Sequence, residues 1–371
     1  MKNKERKLYK IGHLTKILGI THRSIRYYDQ YGLLPHVKRS SGNVRLFDEE
    51  DVELIKKIRN MQSEEFLPLN VIKEKLFGKK SDITSGDKAI VTDSTALLSE
   101  AVKAAAPIHI LPLSISIEGQ TYLDGIDITP SELWDKSQQL EIDTLTSPPA
   151  EDVFVKKYLE LHQQGIKEIY SIHLSSKLSA TYQIALQASH KVADKVKVVV
   201  IDSKSTGAGL GLFVQLIGEA IHEQNSSKEI QLLISKNLPL IFDMMVVNSL
   251  QFLANKGKLS DLSPTQMTFM GKLFELKPVM TLKNGELEIL ECSKTKQDAV
   301  DLMIDLLDRE IQSRGGYVKQ ISVIYNYLYG EALEIINRIK SSYPYIPLYM
   351  DEGSSILSVY VGNESIGISI I

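Results

Sequence analysis

The chain has 371 residues, 43% of them apolar and 24% charged, with a formal net charge of −3, which is ordinary for a soluble protein long enough for more than one domain. Its single cysteine, Cys292, excludes an internal disulfide and thiolate-rich metal sites, and its eight histidines show no ligand spacing. The near-neutral total hides a split: residues 1–80 carry 18 Lys+Arg against 10 Asp+Glu, net +8, and the remainder 25 against 36, net −11.

A small basic module suits a polyanion, because phosphate neutralisation supplies most non-specific DNA affinity. The acidic body must then do something else. No apolar run approaches the roughly 20 residues that span a bilayer, and the best, Leu238 to Val247, is interrupted by Pro239 and Asp243. The basic N-terminus MKNKERKLYK lacks the apolar stretch of a signal peptide. No membrane insertion is expected, and a cytoplasmic location is.

The head reads as a series of short helices. Ile11, Leu14, Ile17 and Leu18 recur at helical spacing, Gly19 ends that helix, and Thr21 caps the next. Thr21 to Tyr31 carries Arg23, Arg26, Tyr27 and Tyr28, and Gly32 stops it. Two short helices joined by a tight turn, the second bearing Arg and Tyr, follow helix-turn-helix logic, in which the second lies in the major groove. Pro35 to Phe47 reads as a wing: Lys38 and Arg39 lead into Ser40-Ser41-Gly42-Asn43, and Val44 to Phe47 return. Asp48 caps a helix through Met61, and Leu69 to Leu76 supplies the last one.

The run from Tyr9 to Ile58 resembles the MerR-family winged helix-turn-helix. The resemblance rests on Ile11-Gly12, Arg26-Tyr27-Tyr28-Asp29, Gly32-Leu33-Leu34-Pro35 and Arg45-Leu46-Phe47-Asp48, in that order. It implies that Arg23, Arg26 and Tyr27 face the groove or its phosphates. Arg45 of the wing would grip backbone, Lys38 and Arg39 would also be DNA-binding, and Tyr28 would pack inward. The long dimerisation helix usual in that family is missing: GKKSDITSGDK reads as a linker, with no heptads after it. Dimerisation and sensing are therefore expected from the body.

Past Lys88 short β-branched runs alternate with helices. Residues 89–92, 108–111, 168–173 and 197–202 are strand candidates, and residues 151–164, 178–192 and 209–223 are helices. That alternation argues an α/β parallel sheet, with sites beyond the strand C-termini. The Ser/Thr-rich segments fall there: Thr92 to Thr95, Thr146-Ser147, Ser175 to Thr181, and Asp202-Ser203. A hydroxyl-lined helix N-terminus offers oriented N–H donors and a favourable dipole to an anionic head group.

TDST, YLDGIDIT, TSPPA, SSKLSATYQIALQAS, IDSKSTGAGLG, ANKGKLS and LKPVMTLKNGELE, in this order, resemble the DegV-type fatty-acid-binding fold. The resemblance implies two α/β lobes clasping one long-chain acyl group. Thr146 of the TS element and Ser179 of the helix start would hold its carboxylate, with Ser176 nearby, and Ser147 and Thr181 would belong to the same fatty-acid-binding set. Leu111 to Ile117, Phe242 to Val247, Met267 to Phe274 and Val279 to Leu282 are candidates to wrap the tail. No His lies in an adjacent motif to activate a hydroxyl, so an enzyme is not expected. Relatives that present fatty acid to a fatty acid kinase are similar but use an Arg and two His. Here those positions are Lys258, Tyr325 and Tyr360.

The sequence therefore reads as an N-terminal all-α winged helix-turn-helix over residues 1–77, a linker over 78–87, and a two-lobed α/β acyl-binding domain over 88–371. The function expected is a homodimeric one-component transcriptional regulator that binds a double-stranded DNA operator and senses a long-chain fatty acid or acyl derivative, with no metal or cofactor. The alternative is a fatty-acid carrier serving a fatty acid kinase.

Overall fold

The computed structural model describes residues 8–18, 20, 22, 25, 28–29, 33–35, 37–40, 44–64, 69–77, 86–99, 102–103, 106–137, 144–247, 276–362 and 364–371. The predicted recognition residues Arg23, Arg26 and Tyr27, the wing tip, Lys258 and Met267 to Phe274 lie outside them. The chain divides into two compact units, residues 1–82 with 338–349, and residues 83–337 with 350–371.

In the head, β1 (Tyr9–Lys10) leads into α1 (Ile11–Leu18), and a wing of β2 (Lys38–Arg39) and β3 (Arg45–Phe47) precedes α2 (Glu49–Glu64) and α3 (Leu69–Phe77). The strands form one antiparallel sheet in the order β1-β3-β2. Asp48 starts α2 as its sequence position predicts. Its carboxylate accepts from the Glu50 and Asp51 amides at 3.0 and 3.2 Å, and Asp51 accepts the Asp48 amide at 2.9 Å. This reciprocal pairing satisfies first-turn N–H groups that a helix leaves orphaned. At the other end of α1, Arg59 donates to the Leu18 carbonyl at 2.6 Å. Leu14, Ile25, Tyr28, Leu33, Phe47, Ile55 and Ile72 share one core, so Tyr28 does pack inward.

The body opens with a parallel sheet in the order β10-β9-β4-β5, made of β4 (Lys88–Asp93), β5 (Ile108–Leu111), β9 (Glu168–His173) and β10 (Lys197–Asp202). β9 is buried along its whole length. Between them run β6 (Ser114–Ile117), β7 (Gln120–Leu123) and β8 (Thr144–Ser147), an antiparallel sheet in the order β7-β6-β8. The helices α4 (Pro130–Ser137), α5 (Glu151–Gln163), α6 (Thr181–Lys191), α7 (Gly207–His222) and α8 (Ser227–Asn237) follow in chain order. Phe154, Tyr158 and Leu161 of α5 and Ala185 and Ala188 of α6 close over one face of the parallel sheet.

The second lobe departs from the expected parallel pattern. β11 (Phe242–Val246), β12 (Lys277–Lys283), β13 (Glu286–Ser293), β14 (Ile321–Tyr325), β15 (Leu348–Glu352) and β16 (Ile366–Ile370) form a sheet in the order β13-β12-β11-β16-β14-β15. The pairs β11–β12, β12–β13, β11–β16 and β14–β16 are all antiparallel. For β12–β13 the physical reason is visible at Asn284-Gly285, both at positive φ (53° and 87°). Two residues in that conformation close a tight hairpin, and a two-residue turn can only reverse the strand. The helices α9 (Lys296–Ser313), α10 (Tyr329–Ser342) and α11 (Ser355–Val361) complete the chain.

Candidate functional site

The two lobes of the body are tied by polar contacts reaching far along the sequence. Ser175 donates to the Gly285 carbonyl at 2.8 Å, joining the first-lobe loop to the hairpin tip. Asp124 accepts the Ser355 amide at 3.0 Å, and the Ser355 hydroxyl donates to the Ile128 carbonyl at 3.2 Å. The turn after β7 is thereby clamped on the start of α11. Burial raises the Asp124 carboxyl above its usual range, while hydrogen bonds from Ser94, Ser355 and Ile356 oppose the rise.

Between the lobes lies a cavity of about 280 Å3, just below the roughly 300–1,000 Å3 of small-molecule sites. Its wall is mostly apolar, with Met244, Met245, Met280, Leu282, Leu287 and Leu357 prominent. Unbranched methionine side chains adapt to a flexible chain of methylenes. Of the predicted tail-wrapping segments, Leu111 to Ile117 contributes Leu113, Phe242 to Val247 contributes Met244, Met245 and Val247, and Val279 to Leu282 contributes Met280 and Leu282.

Hydroxyls break this surface. Thr146, Ser147 and Ser179 line it, together with Tyr360. Alternation along β8 sets Thr146 on the inner face beside Ile115, and α11 brings Tyr360 onto it, so the two hydroxyls share a hydrogen bond of 2.5 Å. Ser179 pairs with the Thr181 hydroxyl at 2.8 Å and accepts the Thr181 amide at 3.3 Å, so it is tied to the first residue of α6 and lines the cavity.

The remaining predicted residues are placed elsewhere. Ser176 is not part of the wall: its hydroxyl donates to Asp202 at 2.5 Å and its amide to the same carboxylate at 3.1 Å. Thr181 is fully buried behind Ser179. Tyr325 lies off the cavity wall, edge-on to Tyr329 with ring centroids 5.6 Å apart. In the head, Lys38 and Arg39 are exposed on β2. Arg45 donates to Asp29 at 2.5 Å, so part of its guanidinium is used within the fold.

Two features escaped the sequence reading. One is a hydrogen-bonded chain behind the cavity. Tyr158 and Ser171 share a bond of 2.7 Å, Ser171 meets His173 Nε2 at 2.7 Å, and His173 Nδ1 meets Asp93 at 3.1 Å. Asp93 also accepts from the Leu174 amide and from the Thr95 amide and hydroxyl. The atom types are those of a hydrolytic triad. All of Ser171, His173 and Asp93 are fully buried, however, and none lines the cavity, so the chain serves to hold the loop that begins at Leu174.

The other is Asp243, a carboxylate in the cavity wall. It accepts from Ser205 and Ser369 at 2.6 Å each, and the Gly209 amide also bonds it. Gly209 is needed here, since a Cβ at that position would sit 2.1 Å from the carboxylate. Burial pushes the Asp243 carboxyl from 3.8 up to about 6 against those three hydrogen bonds. A carboxyl raised on folding binds its proton more tightly in the folded state. Its contribution is therefore full below pH 3.8 and is lost as pH rises through about 6. Asp243→Asn, which cannot ionise, is expected to gain stability over the native protein by about 1–3 kcal/mol as pH rises across that window. Thermal melts at several pH values read this directly, and a gap that stays constant with pH contradicts it.

Among the described residues no helix is long and apolar enough to cross a membrane, and no cluster of three or more His, Cys, Asp or Glu is placed to hold a metal ion.

Comparison with known proteins matches both parts of the chain. Residues 88–371 match the family described as "Uncharacterised protein, DegV family", and residues 9–78 match "MerR HTH family regulatory protein". A DegV domain-containing protein of Staphylococcus aureus is 35% identical over 278 residues, covering 71% of this chain and 95% of that protein. DegV, a fatty acid binding protein from Bacillus subtilis, superposes with a TM-score of 0.69 at 25% identity, over 77% of this chain and 99% of that one. A fatty-acid-binding DegV family protein from Thermus thermophilus shares the fold at 24% identity, with a TM-score of 0.67 and coverage of 76% and 98%.

Proposed function

The chain belongs to the DegV family over residues 88–371 and carries a MerR-type helix-turn-helix domain at residues 9–78, and from that premise we propose a one-component transcription regulator whose DNA affinity responds to a bound fatty acid or acyl derivative. The observation that carries the reading is the cavity itself. The hydroxyl-bearing residues Thr146, Ser147 and Ser179 line an apolar, methionine-rich space on the same chain as a basic DNA-binding module. Hydroxyl donors suit a carboxylate, and the apolar wall suits a hydrocarbon tail. Similar proteins from Bacillus subtilis and Thermus thermophilus are described as binding fatty acids.

In this reading the head is a winged helix-turn-helix. Arg23, Arg26 and Tyr27 meet the major groove, and Lys38, Arg39 and Arg45 meet the backbone. Two heads on a homodimer match a pseudo-palindromic operator. The ligand acts through the inter-lobe ties, Asp124 to Ser355 and Ser175 to Gly285, by biasing how the lobes close and so how the heads are spaced. No catalysis is assigned to the body, and the protein works in the cytoplasm without a cofactor. Arg26→Ala is expected to weaken operator binding by about 1–3 kcal/mol through loss of a base-edge contact. Unchanged affinity in a gel-shift titration removes Arg26 from that role.

The alternative, a carrier for a fatty acid kinase, is disfavoured by Lys258, Tyr325 and Tyr360. Lys gives charge but not a planar two-pronged phosphate grip, and the Tyr360 hydroxyl is turned onto Thr146. Mass spectrometry of small molecules released on denaturing the purified protein tests the acyl-binding part. A stoichiometric fatty acid supports it. A cavity that stays empty after incubation with mixed fatty acids overturns it.

A further inference from the structure

An acyl-binding cavity has no evident use for a carboxylate in its wall. A saturated tail passing Asp243 leaves polar atoms facing methylenes, a poor arrangement. The carboxylate offers about four lone-pair positions, and three are taken by Ser205, Ser369 and the Gly209 amide. One acceptor position remains. Thr206, in the same wall, has a buried hydroxyl with no hydrogen-bond partner. It stands at the N-cap of α7 yet its side chain makes no capping bond, so local structure does not account for it.

These two groups are complementary to a single ligand hydroxyl, which can donate to Asp243 and accept from Thr206. Buried polar atoms are rarely left unsatisfied without a reason, and a bound hydroxyl would partner Thr206 while using the acceptor position left on Asp243. Asp243 is also anchored from three sides, by the strand that carries Ser369, the loop that carries Ser205, and α7. Its position is thereby fixed before any ligand arrives, as a specificity device requires.

We propose that the cavity contains a second polar subsite, formed by Asp243 and Thr206, and that its ligand is an acyl chain bearing a hydroxyl group along the tail. The proposal rests on the acyl-binding reading above and names the ligand class within it. One further hydrogen bond inside the cavity is worth about tenfold in affinity.

The test is competition, followed by native mass spectrometry of the delipidated full-length protein, between stearic acid and monohydroxystearic acids with the hydroxyl walked along the chain. One hydroxyl position is expected to bind about tenfold tighter than stearic acid. Asp243→Asn and Thr206→Val are each expected to bring that ratio close to unity. Thr206→Val keeps the side-chain shape and removes no bond of the fold, so it remains informative if the Asp243 variant is perturbed. Stearic acid bound at least as tightly as every hydroxylated form overturns the subsite and leaves the acyl pocket standing. A preference that survives in both variants also overturns it. Failure of all these acids to bind overturns the subsite and the acyl-binding reading together.

Discussion

Asp93→Asn is expected to lower unfolding free energy by about 2–4 kcal/mol, the cost of leaving fully buried donors without an acceptor. The Asp93 carboxylate accepts from the Thr95 amide at 3.2 Å, the Thr95 hydroxyl at 2.6 Å, the Leu174 amide at 3.0 Å and His173 Nδ1 at 3.1 Å. The network closes if His173 carries its proton on Nδ1, with Nε2 accepting from Ser171 and Ser171 accepting from Tyr158. Each position around Asp93 is then a donor. An amide in its place turns an N–H group toward these donors, so the nearly isosteric change leaves several buried groups unpaired. Urea denaturation measures the loss. A variant within about 1 kcal/mol of the native protein shows that the network is not what holds this lobe.

Thr146→Ala combined with Ser179→Ala is expected to reduce fatty-acid affinity by about two orders of magnitude while the protein stays folded. A hydrogen bond to a charged group contributes about 1.5–3 kcal/mol, so losing two is worth about 3 kcal/mol or more. The structural cost is smaller. Thr146 is only partly buried and its hydroxyl partner is Tyr360, and Ser179 gives up two bonds to Thr181, to its hydroxyl at 2.8 Å and its amide at 3.3 Å, which cost about 1 kcal/mol each. Calorimetric titration with a fatty acid, beside a thermal melt of the same variant, separates binding from folding. A double variant that binds fatty acid as the native protein does excludes these hydroxyls as the head-group anchors.

Local pattern carried the first lobe well. The four parallel strands and the helices after them lie within a few residues of their predicted bounds, because apolar runs and caps are short-range signals. In the head, Asp48 started α2 as expected, and the wing strands pair as read. The second lobe was less legible. The Asn284-Gly285 signal between KPVMTLK and ELEILECS marks a hairpin, but the alternation of elements upstream pointed to a parallel sheet.

The site divides along the same line. Thr146, Ser147 and Ser179 were legible as hydroxyls at strand ends and helix starts. Ser176 differs from Ser179 by three positions and one contact: Asp202, at the end of the neighbouring strand, takes its hydroxyl. Nothing local announces that. Tyr360 meets Thr146 across 214 positions of sequence, and Asp243 meets Ser369 across 126, so both are products of tertiary structure. The His173 network did leave a signal. Ser171 and His173 alternate in a central strand buried on both faces, where polar side chains must find partners in the interior.

The most direct test of the account is operator affinity with and without ligand. DNA fragments enriched by the protein from its own genome would be titrated against delipidated full-length protein, then against protein saturated with the fatty acid it retains on purification, at one fixed salt concentration. A regulator of the kind described shifts its operator Kd by about 5–150-fold between the two forms, the usual range of coupling between distinct sites. Identical affinity in the two forms, with ligand occupancy verified, contradicts acyl control of DNA binding.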